Sequence, residues 1–173
     1  MKKILTPLLA LLVPAVLCTA QMDRNHKEAL SGHEIPPVVL ASQKSNFPNA
    51  FVTKWHSYSN LPKPSPNDLF YSANYKSQGS NSFKAYFDQQ GNVIARMTFL
   101  PNYSIPESIR QDVLSAHQNS KIKSGDLIEL YDREMVLYRV RVNTDGLLQY
   151  LYYDKYAKML KASRVPMEVL SLN

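Results

Sequence analysis

The sequence predicts an α+β fold in which two similar units each lay a helix on an antiparallel sheet, leaving the other sheet face open. Three observations lead there. Ile-Pro occurs at Ile35-Pro36 and Ile105-Pro106, each time ahead of an apolar run with helical spacing. Tyrosine-rich segments with the two-residue alternation of strands follow each run. Downstream, Ala85-Tyr86-Phe87-Asp88-Gln89-Gln90-Gly91 parallels Arg139-Val140-Arg141-Val142-Asn143-Thr144-Asp145-Gly146 as strand plus turn. The expected organisation is a signal peptide over 1–20, a flexible N-terminal segment over 21–34, a first unit over 35–100, a second over 101–161 and a C-terminal tail over 162–173.

The leader is read from Lys2 and Lys3, the apolar stretch Ile4 to Leu17 and the small residues Cys18-Thr19-Ala20 before Gln21. A lipoprotein signal wants a small residue just before its cysteine and leucine three before. Leu17 and Ala15 reverse that order, so ordinary cleavage after Ala20 is expected. The mature chain then has no cysteine, which excludes disulfides, thiol catalysis and cysteine-based metal sites. No later segment is long and apolar enough for a membrane span. The chain is exported to the periplasm or cell surface on this reading. Loss of Lys2 and Lys3 takes 20 basic residues to 18 against 14 acids, a net charge of +4. These cations are dispersed, not striped, so nucleic acid is not an expected partner.

Helix 1 begins near Pro36, because proline is tolerated in a first helical turn, and carries Val39, Ala41, Ser42 and Phe47 as its apolar stripe. Phe47-Pro48 ends it, since proline disfavours helix at the residue before it. Strands are expected over Phe51 to Tyr58, Leu69 to Lys76, Ser82 to Asp88 and Asn92 to Leu100, with a proline-rich loop over Ser59 to Asn67. Turns fall at Gln78-Gly79-Ser80-Asn81 and Asp88-Gln89-Gln90-Gly91. Helix 2 runs from Pro106 to about Asn119 with Ile109, Val113, Leu114 and Ala116 inward, and Ser104 with Glu107 forms a capping box. Strands follow at Asp126 to Tyr131, Glu134 to Asn143 and Leu147 to Asp154; beyond Pro166, Met167 to Leu172 packs as a strand or short helix.

Catalytic patterns are weak. The four histidines lack the i, i+4 helical spacing that presents two ligands to zinc, so no metal and no cofactor are expected. Ser120-Lys121-Ile122-Lys123 matches a serine-acylation pattern, but its companion motifs are missing and the serine follows a helix when it should open one. With five glycines there is no phosphate-cradling loop, and Asp126, Glu129, Asp132 and Glu134 fit strand ends and a hairpin. An enzyme is not expected.

The strands point to a surface. Val136, Tyr138, Val140 and Val142 share one side and face the helices, which puts Arg139 and Arg141 on the other. Phe83, Ala85 and Phe87 are core by the same alternation, with Lys84 and Tyr86 outside, and Arg96 falls opposite Val93, Ala95 and Met97. The candidate binding face is therefore Arg139, Arg141, Arg96, Tyr86 and Lys84, with Trp55 at its border or in the core. Tyrosine and arginine recur at interface hot spots because each joins large contact area to directional polar groups.

The chain resembles the PepSY-like family of β-lactamase-inhibitor-like periplasmic proteins. In the first unit the matching residues are Ile35-Pro36, Phe47-Pro48-Asn49-Ala50, Trp55 and Phe87-Asp88-Gln89-Gln90-Gly91. In the second they are Ile105-Pro106, Ile109, Tyr138-Arg139-Val140 and Asp145-Gly146. The proline-rich insertion Asn60 to Asn67 departs from the pattern, and the second unit lacks Phe-Pro-Asn-Ala and its tryptophan. The resemblance implies two PepSY-like repeats, helices on one face of an antiparallel sheet, and an open concave face that grips a protein in the inhibitor naming the fold. The function this favours is non-catalytic binding of a protein or peptide, with inhibition of a secreted hydrolase as one form. The alternative is a small-molecule sensor or carrier with a pocket between helix and sheet.

Overall fold

Among the described residues nine antiparallel strands pair side by side in the order in which the chain makes them. A computed structural model describes residues 26–59, 69–76, 82–116, 119–166 and 169–170. The signal peptide, Asn60 to Asn67, the turn Gln78 to Asn81, and His117 lie outside the described residues. The elements are β1 (His26–Leu30), α1 (Pro37–Asn46), β2 (Phe51–Ser59), β3 (Leu69–Lys76), β4 (Phe83–Phe87), β5 (Val93–Pro101), α2 (Glu107–Ala116), β6 (Ser120–Leu130), β7 (Met135–Thr144), β8 (Leu147–Asp154) and β9 (Met159–Leu160). Short 3-10 turns at Gly32–Glu34 and Asn102–Ser104 lead into the two helices, and a third occupies Ala162–Arg164.

Both helices lie on one side of the sheet, the first face. Val39 of α1, with Ile35 before it, packs among Trp55, Tyr71, Ala73 and Phe87. Ile109 and Val113 of α2, with Ile105, pack against Leu100, Val140, Val142 and Tyr153. Burying each such aliphatic side chain contributes about 1.5–3 kcal/mol. Phe47 closes α1, its amide donating to the Gln43 carbonyl at 2.9 Å and its ring lying 5.2 Å from that of Tyr75. Leu114 and Ala116, expected inward, are exposed because α2 turns only the Ile109–Val113 stripe to the sheet. Glu107 bonds Gln111 and Arg110 on its own helix, and this interaction takes the place of the expected box with Ser104.

Several expectations are revised. The segment read as flexible, 21–34, contains β1, whose backbone pairs with β2 from His26↔Ser59 to Leu30↔Trp55. An edge strand needs few apolar anchors, and β1 offers little periodicity to read. Asp126 is not the start of a strand; β6 begins at Ser120. The second face is also not open: after a helical turn in which Val169 and Leu170 donate to the Pro166 carbonyl at 3.0 and 3.3 Å, Val165 and Val169 cover its centre. They pack with Tyr58, Tyr86, Met97, Ile128, Leu137 and Tyr152.

Two turns share one hydrogen-bond pattern. Between β4 and β5, Asp88 N donates to Asn92 O at 3.0 Å, Gly91 N to Asp88 O at 3.1 Å, and Asn92 N to Asp88 Oδ1 at 2.7 Å. Between β8 and β9, Asp154 N donates to Lys158 O at 2.9 Å, Ala157 N to Asp154 O at 3.0 Å, and Lys158 N to Asp154 Oδ1 at 2.9 Å. The structural counterpart of Gly91 is therefore Ala157, and not Gly146 as the sequence comparison proposed. Asp145 and Gly146 instead form a two-residue turn with φ of 52° and 89°, the mirror-image type that suits strand twist.

Gly91 has φ of +83° and Ala157 has +63°, a region that costs an L-residue with a Cβ. A Cβ on Gly91 would also stand 2.9 Å from the Val38 carbonyl oxygen. Ala157→Gly should therefore stabilise the protein by about 0.5–1 kcal/mol, and Gly91→Ala should destabilise it by more than about 1 kcal/mol. Urea unfolding of the two variants checks the opposite signs.

Candidate functional site

On the second face, strand register brings four side chains of successive strands into one row: Phe99↔Asp126, Asp126↔Arg139 and Arg139↔Tyr152. Asp126 organises the row. Its Oδ2 accepts from Arg139 Nε at 2.9 Å and from Arg141 Nη2 at 2.7 Å. Arg141 also donates through Nη1 to Ser124 Oγ at 3.0 Å, and Arg139 Nη2 lies 3.1 Å from Met97 Sδ. The Arg139 guanidinium stands 5.5 Å from the centre of the Tyr150 ring. One carboxylate oxygen thus accepts from two guanidinium groups. The Arg139 side chain is shielded at 3% exposure, and that of Arg141 reaches solvent at 23%.

The sequence-derived candidates separate into three groups. Lys84, Tyr86, Arg139 and Arg141 lie on the second face as alternation required, but Tyr86 and Arg139 are buried. Lys84 is half-buried, its ammonium 5.6 Å from the Tyr86 ring. Arg96 belongs to the first face. Pairing steps from Phe87↔Val93 to Tyr86↔Ala95, so Ile94 is an extra residue and every side chain after it changes sides. Arg96 therefore stands opposite Ala85, its guanidinium 4.5 Å from the Phe83 ring centre and 3.7 Å from Glu129. Trp55 is core on the first face, its ring 5.9 Å from that of Phe87.

Asp126, Phe99, Tyr150 and Leu148 share the second face with Arg141; Phe99 and Leu148 were not singled out from sequence, and Asp126 was read there as a strand-end or hairpin residue. Asp126 carried a signal: it alternates with Ile128 and Leu130, and an acid on the apolar side of a strand demands a partner. Phe99 and Leu148 are 46% and 53% exposed, and Tyr150 is half-buried. These residues form the accessible rim beside the covered centre.

Elsewhere the helix–sheet interface under α1 is filled by rings, with Tyr75 stacked on Phe83 at 4.5 Å and both against Phe47. A depression of about 410 Å³ lies at the edge of α2, lined by Asn102, Glu107, Arg110, Leu114, Ser120, Lys121 and Ile122. Its walls are the outer side of α2 and the start of β6. Among the described residues no three His, Cys, Asp or Glu side chains are grouped so as to hold a metal ion.

Several tyrosines stay neutral well into the alkaline range. Burial pushes Tyr71, Tyr75, Tyr86 and Tyr152 above the ordinary value of 10.0. Burial and then the hydrogen bond to Asp112, 2.9 Å away, raise Tyr153.

Several solved structures share this fold. A DUF2874 family protein from Bacteroides uniformis is 15% identical, with a TM-score of 0.59 over 73% of this chain and 86% of its own. A protein from Bacteroides eggerthii, described as a candidate periplasmic protein, is 12% identical with a TM-score of 0.59 over 73% and 86%. A BLIP-like protein from Bacteroides fragilis is 19% identical with a TM-score of 0.57 over 73% and 83%. A fourth, a DUF2874 family protein from Bacteroides ovatus, is 18% identical with a TM-score of 0.58. No protein-family model and no curated protein matches the sequence. The likeness establishes a mixed helix-and-sheet fold shared with BLIP-like and DUF2874 proteins. No helix among the described residues is long and apolar enough to cross a membrane.

Two outcomes follow for stability. Asp126→Ala strands two buried or half-buried cations and should cost about 3–5 kcal/mol, while Arg96→Gln, which breaks a third-exposed pair, should cost less than about 1 kcal/mol. Chemical denaturation of both variants checks this. The tyrosines bear on pH. Their folded-state values exceed the unfolded value of 10.0, so the unfolded chain gives up protons first. Their stabilisation is complete below pH 10 and is lost as pH rises through the folded values. Thermal melts should be unaffected by these groups up to about pH 9 and should fall above pH 10, the buried tyrosines ionising only as the fold opens.

Proposed function

We propose that the chain is an exported, non-catalytic binding protein built from two PepSY-like units, and that the rim of its second sheet face engages a protein or peptide. The observation that carries this reading is the pairing of accessible apolar side chains, Phe99 and Leu148, with a pre-oriented cation. Ser124 and Asp126 hold the Arg141 guanidinium in place, so little side-chain freedom is lost when it meets an acceptor. An aromatic or aliphatic anchor beside a fixed arginine is the composition of an interface hot spot. The partner this composition fits offers an apolar surface and at least one carboxylate. The BLIP-like fold supports a secreted hydrolase as partner class, and the described periplasmic relative supports export to the envelope.

The rim replaces the broader face expected from sequence. Arg139 is withdrawn from it because its charge is spent inside the sheet, and Arg139→Ala would test folding more than binding. Phe99→Ala with Leu148→Ser is the cleaner probe, since both side chains are about half exposed. Immobilised mature protein should capture a defined partner from envelope extract, and this double variant should capture at least about tenfold less with its unfolding midpoint unchanged. Equal capture by the variant would remove the rim from the account.

A further inference from the structure

The chain contains a third helix-entry turn. Leucine, four residues, Ile or Val, Pro, two residues, then Val or Ile occurs at Leu30–Val39, at Leu100–Ile109 and again at Leu160–Val169. In each case a 3-10 turn precedes the β-branched residue, which is extended: Ile35 at φ −86°, ψ 131°, Ile105 at −71°, 135° and Val165 at −78°, 125°. The proline carbonyl then accepts the first helical hydrogen bond, from Leu40 at 3.1 Å, Arg110 at 3.1 Å and Leu170 at 3.3 Å. Ile35 and Val39, Ile105 and Ile109, and Val165 and Val169 are all buried. What differs is the side of the sheet. The bulge at Ile94 turns Leu100 toward the first face, so α2 packs there. The matching hairpin pairs Tyr153↔Met159 and Tyr152↔Leu160 without a bulge, so Leu160 points to the second face and the turn after it follows.

We propose that the second face is a receptor groove for a helical turn led by a β-branched residue and proline, and that the Val165–Val169 turn is its exchangeable intramolecular occupant. The groove is lined by Met97, Ile128, Leu137, Tyr152, Tyr58 and Tyr86, and Val165 and Val169 pack in it with the partly buried Leu160 and Leu170 against the same cluster. Among the described residues the turn joins the sheet's backbone ladder through the two residue pairs of β9, whereas the strands on either side of α2 pair with their neighbours along most of their length. It can therefore leave without opening the sheet. A partner carrying the same short motif would compete with it, joining the groove to the rim formed by Phe99, Arg141 and Leu148.

The test is a titration of full-length protein with a labelled synthetic peptide spanning Leu160–Asn173. Full-length Val165→Asp/Val169→Asp protein should keep a cooperative unfolding transition and bind this peptide one to one. The wild-type protein should bind it at least about tenfold more weakly, because its own turn competes. A peptide carrying both aspartates should bind neither. Loss of cooperative unfolding in the variant, failure of the folded variant to take up peptide, or equal affinity of the two proteins would each overturn the proposal. So would a wild-type dimer that dissociates on peptide addition, since the occupant would then come from a second copy. The proposal rests on the binding-face reading, but the peptide tests the groove and the Phe99/Leu148 variant tests the rim, so either can fail alone.

Discussion

A carboxylate on the apolar side of a sheet must find cations, and Asp126 finds two. Isolated in that position it would cost several kcal/mol; paired with Arg139 and Arg141 it becomes a constraint on strand register. A one-residue slip between β6 and β7 would send Asp126 to the opposite face from both arginines. The bulge between Ile122 and Ser124 belongs to the same arrangement, because it lets Ser124 stand opposite Arg141 and accept its second hydrogen bond. Hydrophobic clusters on both faces stabilise the sheet, and the ion cluster constrains which residues of the middle strands face each other.

The cluster also divides the second face into two parts with different chemistry. Toward Tyr86 and Ile128 the surface is apolar and covered by Val165 and Val169. Toward Ser124 and Tyr150 it is accessible, and the Arg141 guanidinium reaches solvent there. Binding at such a boundary combines an apolar anchor with a directional charge. Among the described residues the first face offers no equivalent, since α1 and α2 occupy it and Arg96 is engaged with Phe83 and Glu129.

Much of this could be read from the chain. The edges of β3 and β8, the start of α1 after Pro36, and the packing of Tyr138, Val140 and Val142 on the first face follow from alternation and proline placement. Alternation assigned Arg139 and Arg141 to the correct side. It could not say what lies above that side, because the covering residues come from the tail and contact the sheet only in three dimensions. Arg96 was misplaced for a different reason. One extra residue at Ile94 inverts every later side chain in β5, and nothing in Val93-Ile94-Ala95 marks the bulge. Trp55 was legible as a large residue of a strand, but its side of the sheet became clear only when its pairing with Ala73 was known.

The central claim is that Asp126 and Arg139 act as one buried unit at the middle of the sheet. A double-mutant cycle of Asp126→Ala and Arg139→Ala, read by urea unfolding, measures it most directly. The predicted result is strong coupling, with the double variant about 2 kcal/mol or more better than the sum of the single losses, because removing both partners leaves no stranded charge between them. Losses that add to within about 0.5 kcal/mol would contradict it.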